Sequence, residues 1–190
     1  RHHAAVVAPA HGPAHRGRTA RPVRGRCRAA GRPPGPEHLA QLLWLGATLK
    51  EALRLYPPIA ALMSRRTTAP IALGGVPVPQ GAMLRITPWV LHRDARWFAE
   101  PDRFAPERFL DGAPPSPRGA WIPFGLGPRV CIGQHFAMLD MTLLAAMLLQ
   151  RYTVRLPVGG VVGAPRFPVT LRPEGASALW LQRRDAPQEQ

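Results

Sequence analysis

Pro123–Gly133 reads PFGLGPRVCIG and runs directly into a long apolar stretch. The chain has two cysteines, and this segment sets one of them, Cys131, among three glycines, two prolines and an arginine. A cysteine that only fills core needs no such surroundings. The position just ahead of a helical pattern places the sulfur near a helix N-terminus, where free N–H groups and the helix dipole favour a thiolate. Gly125, Gly127 and Gly133 allow backbone conformations closed to other residues and let a flat, bulky group come close. Arg129, two residues before the sulfur, places a cation beside an anionic group of whatever the sulfur binds. The arrangement suits a loop that presents one thiolate to a metal.

Competing readings fare less well on the same residues. A buried structural cysteine is the commonest fate of a lone one; it stays open, although it explains neither the glycines nor the arginine. A cysteine nucleophile needs a base, for which His135 is the candidate, but no flanking hydrolase signature is present. A dinucleotide-binding loop fails because Val130 stands where the third glycine of GxGxxG belongs.

Composition sets the outer bounds. The chain has 190 residues and is 46% hydrophobic, enough for one domain or a large part of one. Its net charge is +14, from 24 Arg, one Lys and 11 acids. Half of that excess, +7, falls in residues 1–38, which carry eight Arg and one acid. A basic balance often marks a nucleic-acid partner. Here the excess sits in a leader with no aromatic residue to stack on bases, so no nucleic-acid partner is expected. Cys27 and Cys131 do not form the closely spaced, even framework of a disulfide-stapled domain, and Cys27 reads as an unpaired bystander. No stretch reaches the roughly 20 apolar residues of a membrane span; the nearest, Phe136 to Leu149, is interrupted by Asp140. The chain therefore reads as soluble and cytoplasmic, with an N-terminal anchor left open by a start that lacks Met.

Residues 1–34 form an Arg/Ala/Pro/His-rich leader expected to be disordered, because it has too little apolar area to offset ordering entropy. His11 and His15 stand at i,i+4, but Gly12-Pro13 between them argues against a metal-binding helix. From Glu37 the pattern turns helical: Leu42, Leu45, Leu49, Ala52 and Leu53 share a face, and Pro57-Pro58 ends the helix. Residues 62–87 predict short strands turning at Gly74-Gly75 and at Pro79-Gln80-Gly81. Residues 88–123 read as mostly irregular. A helix from about Ile132 to Arg151, apolar on nearly every side, is expected to be buried. The tail FPVTLRPEGASALWLQRR alternates around Pro173-Glu174-Gly175 as a β-hairpin would.

Three segments together resemble one family. FGLGPRVCIG matches the haem-binding loop of the cytochrome P-450 superfamily, FxxGxRxCxG, at Phe124, Gly127, Arg129, Cys131 and Gly133. KEALRLYPP resembles its ExxR helix, with Glu51 and Arg54, and FAPERF resembles its PxRF segment, with Arg108. The motifs stand in family order, and TLRPEGASALWL resembles the terminal hairpin. By their own chemistry, Glu51 and Arg54 are i,i+3 neighbours able to pair, which on an exposed helix face contributes only about 0.2–0.5 kcal/mol.

The resemblance implies a mainly α fold with small β-sheets, residues 35–190 being the C-terminal part of a cytochrome P-450 domain behind the leader. It implies heme b (iron protoporphyrin IX) bound through Cys131, with Arg129 facing a haem propionate. Arg65 is expected to make a second such contact, Arg66 being the alternative. Phe124, Gly125 and Gly133 would shape the sulfur side of the haem. Glu51, Arg54 and Arg108 would form a buried structural triad, and His92 a hydrogen bond within the fold. Residues 59–64 and 173–177 correspond to loops that touch substrate. The implied reaction inserts one oxygen atom from O2 into a small organic substrate, with electrons from NAD(P)H delivered by a ferredoxin or flavoprotein reductase. The family's long central helix with its acid–Thr pair, and its Trp/Arg helix, have no counterpart here. The abrupt change near Gly31-Arg32 thus reads as a frameshifted or truncated frame. A truncated, non-catalytic remnant with weak or no haem binding is the alternative function, and a basic nucleic-acid-binding protein, resting only on the leader, is the third and weakest reading.

Overall fold

A 3-10 turn at Pro36–Gln41 leads into helix α1, Leu43–Leu55. The two are separated at Leu42, whose φ of −103° and ψ of 27° break the helical path. These coordinates come from a computed structural model that describes residues 34–61, 64–114, 116–157, 163–175 and 178–184. The leader to residue 33, the His11–His15 pair and Cys27 lie outside the described residues. Helix α1 ends where proline chemistry requires: the Tyr56 N–H still reaches the Ala52 carbonyl at 2.7 Å, and Pro57 supplies no further donor. Its buried face holds Leu45, Ala47 and Leu53, and also Thr48, Glu51 and Arg54. The apolar spacing therefore marks only part of the face that is covered.

Four short strands follow, β1 (Arg65–Arg66), β2 (Ile71–Leu73), β3 (Val76–Val78) and β4 (Met83–Leu84). β2 and β3 form a hairpin through Gly74-Gly75, nested inside an antiparallel β1–β4 pair. Thr67 closes the outer pair by donating its hydroxyl to the Pro79 carbonyl at 2.7 Å and accepting the Ala82 N–H at 2.9 Å. Residues 88–123 contain helix α2, Pro88–Leu91, and a 3-10 turn at Pro106–Phe109 that packs on α1. The rest of that region is irregular.

Helix α3 spans Gln134–Arg151 and packs against α1. Leu42, Leu45 and Ala146 are buried between them, with Leu49, Ala145 and Leu149 alongside. The expectation that α3 is buried all round is not met: Thr142 and Ala146 are its buried residues, while Phe136, Leu144 and Leu148 are exposed. Helix α1, the Pro36–Gln41 turn and the strand after α3 pack on it, whereas Phe136, Leu144 and Leu148 of its apolar circumference face outward.

The tail departs from the expected hairpin. β5 (Tyr152–Arg155) pairs antiparallel with β8 (Trp180–Arg183), and β6 (Pro165–Arg166) pairs with β7 (Arg172–Pro173). Among the described residues of 167–184, β7 and β8 thus do not pair with each other. Pro168 and Pro173 lack the N–H groups a continuous ladder needs, and the Leu171 N–H donates instead to the Pro58 carbonyl at 2.7 Å.

Candidate functional site

The loop carrying Cys131 is built from its own backbone. The Gly125 N–H donates to the Ile122 carbonyl at 3.1 Å, the Val130 N–H to Gly127 at 3.0 Å, and the Cys131 N–H to Phe124 at 2.9 Å. Gly125 and Gly127 take φ of 84° and 76°, left-handed values that strain residues bearing a Cβ. A 3-10 turn, Gly127–Arg129, starts at the second of these glycines and leads to the sulfur. Helix α3 starts at Gln134 rather than Ile132, with Gly133 at the N-cap, so Cys131 lies just outside the first turn. A Cβ built on Gly133 would sit 3.9 Å from Cys131 Sγ, an ordinary van der Waals contact.

Cys131 is a free, exposed thiol. Exposed apolar side chains surround it in sequence: Leu126, Val130, Ile132, which is fully open at 101%, and Phe136. Phe124 is half-buried, Arg129 is exposed, and Arg65 is exposed on β1 opposite Leu84. His135 contacts the neighbouring Gln134 side chain at 3.3 Å. Among the described residues no group of three or more His, Cys, Asp or Glu gathers to hold a metal ion.

Behind the loop lies a buried charge cluster. Glu51 and Arg54 are both 0% exposed, which separates them from an ordinary surface pair. Arg54 donates all five of its N–H groups. Nε reaches Glu51 Oε2 at 2.6 Å and Nη2 reaches Glu51 Oε1 at 2.8 Å. The remaining three go to the carbonyls of His92 at 2.7 Å, Pro101 at 2.7 Å and Arg103 at 3.1 Å. The Phe98 ring lies under the guanidinium, 5.0 Å from centroid to Cζ. Glu51 Oε1 also accepts the Ala105 N–H at 2.8 Å. Arg108 Nε approaches the same oxygen at 3.6 Å, an ion pair too long for a hydrogen bond. Burial lowers the Arg108 pKa, and the Glu51 charge opposes that effect.

His92, also 0% exposed, links the cluster to the loop. Its Nδ1 lies 3.0 Å from the Arg54 carbonyl, and its Nε2 accepts the Ile122 N–H at 2.9 Å. Burial, with the Arg54 and Arg93 charges as lesser causes, pushes its pKa down to about 4. Nearby, Arg93 stacks 3.6 Å above the Trp89 ring and donates to the Leu55 carbonyl at 2.6 Å. Trp121 Nε1–H donates to the Lys50 carbonyl at 3.2 Å. These links, and the seats of Phe98, Ala105 and the three carbonyls, have no periodic trace in the sequence. The dense LHRDARWF run is the one visible signal.

Comparison with known proteins follows the same outline. Cytochrome P450 CYP72A616 of Paris polyphylla is 38% identical over 153 residues, which are 79% of this chain and 29% of the relative. Cyclooctatin synthase of Streptomyces melanosporofaciens is 40% identical over 142 residues, 74% of this chain and 30% of the relative. The chain thus spans about three tenths of the length of these curated relatives. Among solved structures, a retinoic acid-bound cyanobacterial CYP120A1 superposes with a TM-score of 0.74 at 29% identity, over 80% of this chain and 35% of that one. A zebra fish cytochrome P450 with progesterone gives 0.72 at 32% identity, over 83% and 35%. The sequence profile of the cytochrome P450 family matches residues 25–179, well over half of the chain, and the chain belongs to that family.

Proposed function

We propose that this chain forms the cysteine-bearing part of a haem-thiolate monooxygenase. The observation that carries this reading is the Cys131 loop: a sulfur held by backbone hydrogen bonds at the start of α3, open to solvent and flanked by exposed apolar side chains. The residues fit a haem. Among the described residues the donor set is one exposed sulfur, which suits a macrocycle that brings its own nitrogens.

Cys131 would hold the haem iron through its sulfur. Arg129 would offset the charge of one haem carboxylate, and Arg65, or Arg66 beside it, that of a second. Phe124, whose carbonyl holds the Cys131 N–H, would screen the sulfur from water on the protein side. When bound, the iron porphyrin supplies the oxygen and electron chemistry, with cysteinate donation favouring O–O cleavage. The protein's part is placement. Glu51, Arg54 and Arg108 hold α1, the 92–105 region and the Pro106–Phe109 turn in one arrangement beneath the loop. The heme is expected to be heme b and the electron donor a ferredoxin or flavoprotein reductase. The progesterone and retinoic acid seen in related structures support a small, mainly apolar organic substrate.

Titration of the purified chain with ferric heme b tests the cofactor reading. The expected result is one-to-one saturation, with Arg129→Ala binding roughly tenfold more weakly, as loss of a charge-assisted contact implies. Binding without a defined stoichiometry, equal in both proteins, would contradict it.

A further inference from the structure

His92 is buried, touches neither Cys131 nor Arg129, and yet joins the two halves of the site. The Arg54 carbonyl can only accept, so the ring nitrogen 3.0 Å from it, Nδ1, carries a proton. The Ile122 N–H can only donate, so Nε2, 2.9 Å away, carries none. One neutral tautomer satisfies both bonds. The contact with Arg54 is reciprocal, because Arg54 Nη1 donates to the His92 carbonyl at 2.7 Å. On the other side, Ile122 is held at both ends: its N–H by His92 and its carbonyl by the Gly125 N–H at 3.1 Å. Two residues on, the Phe124 carbonyl takes the Cys131 N–H. A continuous run of hydrogen bonds and backbone thus leads from the end of α1 through the imidazole to the sulfur-bearing residue.

We propose that His92 is a positioning residue for Cys131: its neutral Nδ1–H imidazole fixes the Ile122–Gly125 turn, and so the cysteine loop, to the Glu51–Arg54 pair on α1. The titratable groups that face the ring are Arg54 from α1 and Arg93 beside it, both cationic, and segment 120–124 offers none. A protonated ring would set two donors against each other at Ile122 and add a third cation. The depressed pKa agrees with a ring kept neutral. The functional consequence, a correctly placed thiolate, rests on the haem-thiolate reading; the mechanical link does not.

The test uses the whole chain, wild type against His92→Phe, which keeps the ring bulk without polar atoms, and His92→Gln, which keeps an acceptor and a donor. Amide hydrogen exchange is read at Ile122, Gly125 and Cys131, with mid-α3 amides as the internal reference. In His92→Phe the three loop amides should exchange about tenfold faster relative to α3, the ratio expected for loss of one buried hydrogen bond; His92→Gln should recover part of it. Imidazole 15N shifts of the wild type should show the Nδ1–H tautomer at pH 7, a measurement that needs no variant to fold. Unchanged relative exchange in His92→Phe, a glutamine variant no better than phenylalanine, or an Nε2–H tautomer would each overturn the proposal. With heme b added, the share of red-shifted carbon monoxide complex should fall in His92→Phe and return in His92→Gln. If the wild type lacks that band while the exchange pattern holds, the haem reading fails and the positioning role stands. If the band is present but loop exchange ignores His92, the reverse is true.

Discussion

Replacing Arg54 by Met leaves a side chain of similar length where five hydrogen bonds were. Glu51 would keep only the Ala105 N–H at 2.8 Å and the distant Arg108 Nε at 3.6 Å. Breaking a buried pair by removing one partner costs about 3–5 kcal/mol, because the remaining charge is uncompensated. The carbonyls of His92, Pro101 and Arg103 lose their Arg54 donors as well. A loss of about 5 kcal/mol follows, enough to unfold a domain at the low end of ordinary stability. Arg54→Lys separates charge from geometry. An ammonium has three donors and no fork, so at least two of the five bonds go unmade, costing about 2–3 kcal/mol. Adding Glu51→Gln to Arg54→Met removes the stranded charge and should recover at least about 1 kcal/mol. Urea unfolding followed by far-UV circular dichroism at pH 7 measures all three. If Arg54→Met lies within about 1 kcal/mol of wild type, or Arg54→Lys is indistinguishable from it, the cluster does not hold the fold in the way described.

Other outcomes follow from the same geometry. His92 titrates near 4 in the folded chain against an ordinary 6.5. Folding therefore favours the neutral ring, its contribution is complete above about pH 6.5, and about 3 kcal/mol is lost as pH falls to 4. Urea midpoints at pH 7 and pH 4.5 should diverge more in wild type than in His92→Gln. Gly125, at φ 84°, should tolerate alanine poorly, Gly125→Ala losing about 1–2 kcal/mol in the same urea assay, whereas Gly46→Ala, in α1 with open space where a Cβ would sit, should be neutral or stabilising. Removing the Arg93 stack on Trp89 by Arg93→Ala should cost about 1–2 kcal/mol and red-shift tryptophan fluorescence as the 3.6 Å contact opens to water.

The sequence carried the family through three short motifs whose residue types are each tied to a chemical need. It carried α1 and the strands of 65–84 through periodicity and glycine turns. The burial of Glu51 and Arg54 came only through the family resemblance, since i,i+3 spacing is the same for a surface pair; what buries them is the 92–105 region, irregular and without a period to read. For His92 a hydrogen bond within the fold was expected, but its partners were not legible, because they lie 38 and 30 residues away in sequence. Helix α3 misled in the opposite sense. An apolar circumference says that a helix wants cover, yet Phe136, Leu144 and Leu148 are left exposed. The terminal pairing differs because alternation around a turn fits a hairpin as well as two strands with other partners, here the nearby 165–166 and the distant 152–155.

The central claim is that Cys131 is a haem thiolate ligand, and one absorption spectrum addresses it. The chain is loaded with heme b, reduced and exposed to carbon monoxide beside Cys131→Ser. The account predicts a red-shifted Soret band in the wild type that disappears in the serine variant while haem stays bound. A band that survives the substitution, or a wild type whose complex lacks it, would contradict the claim.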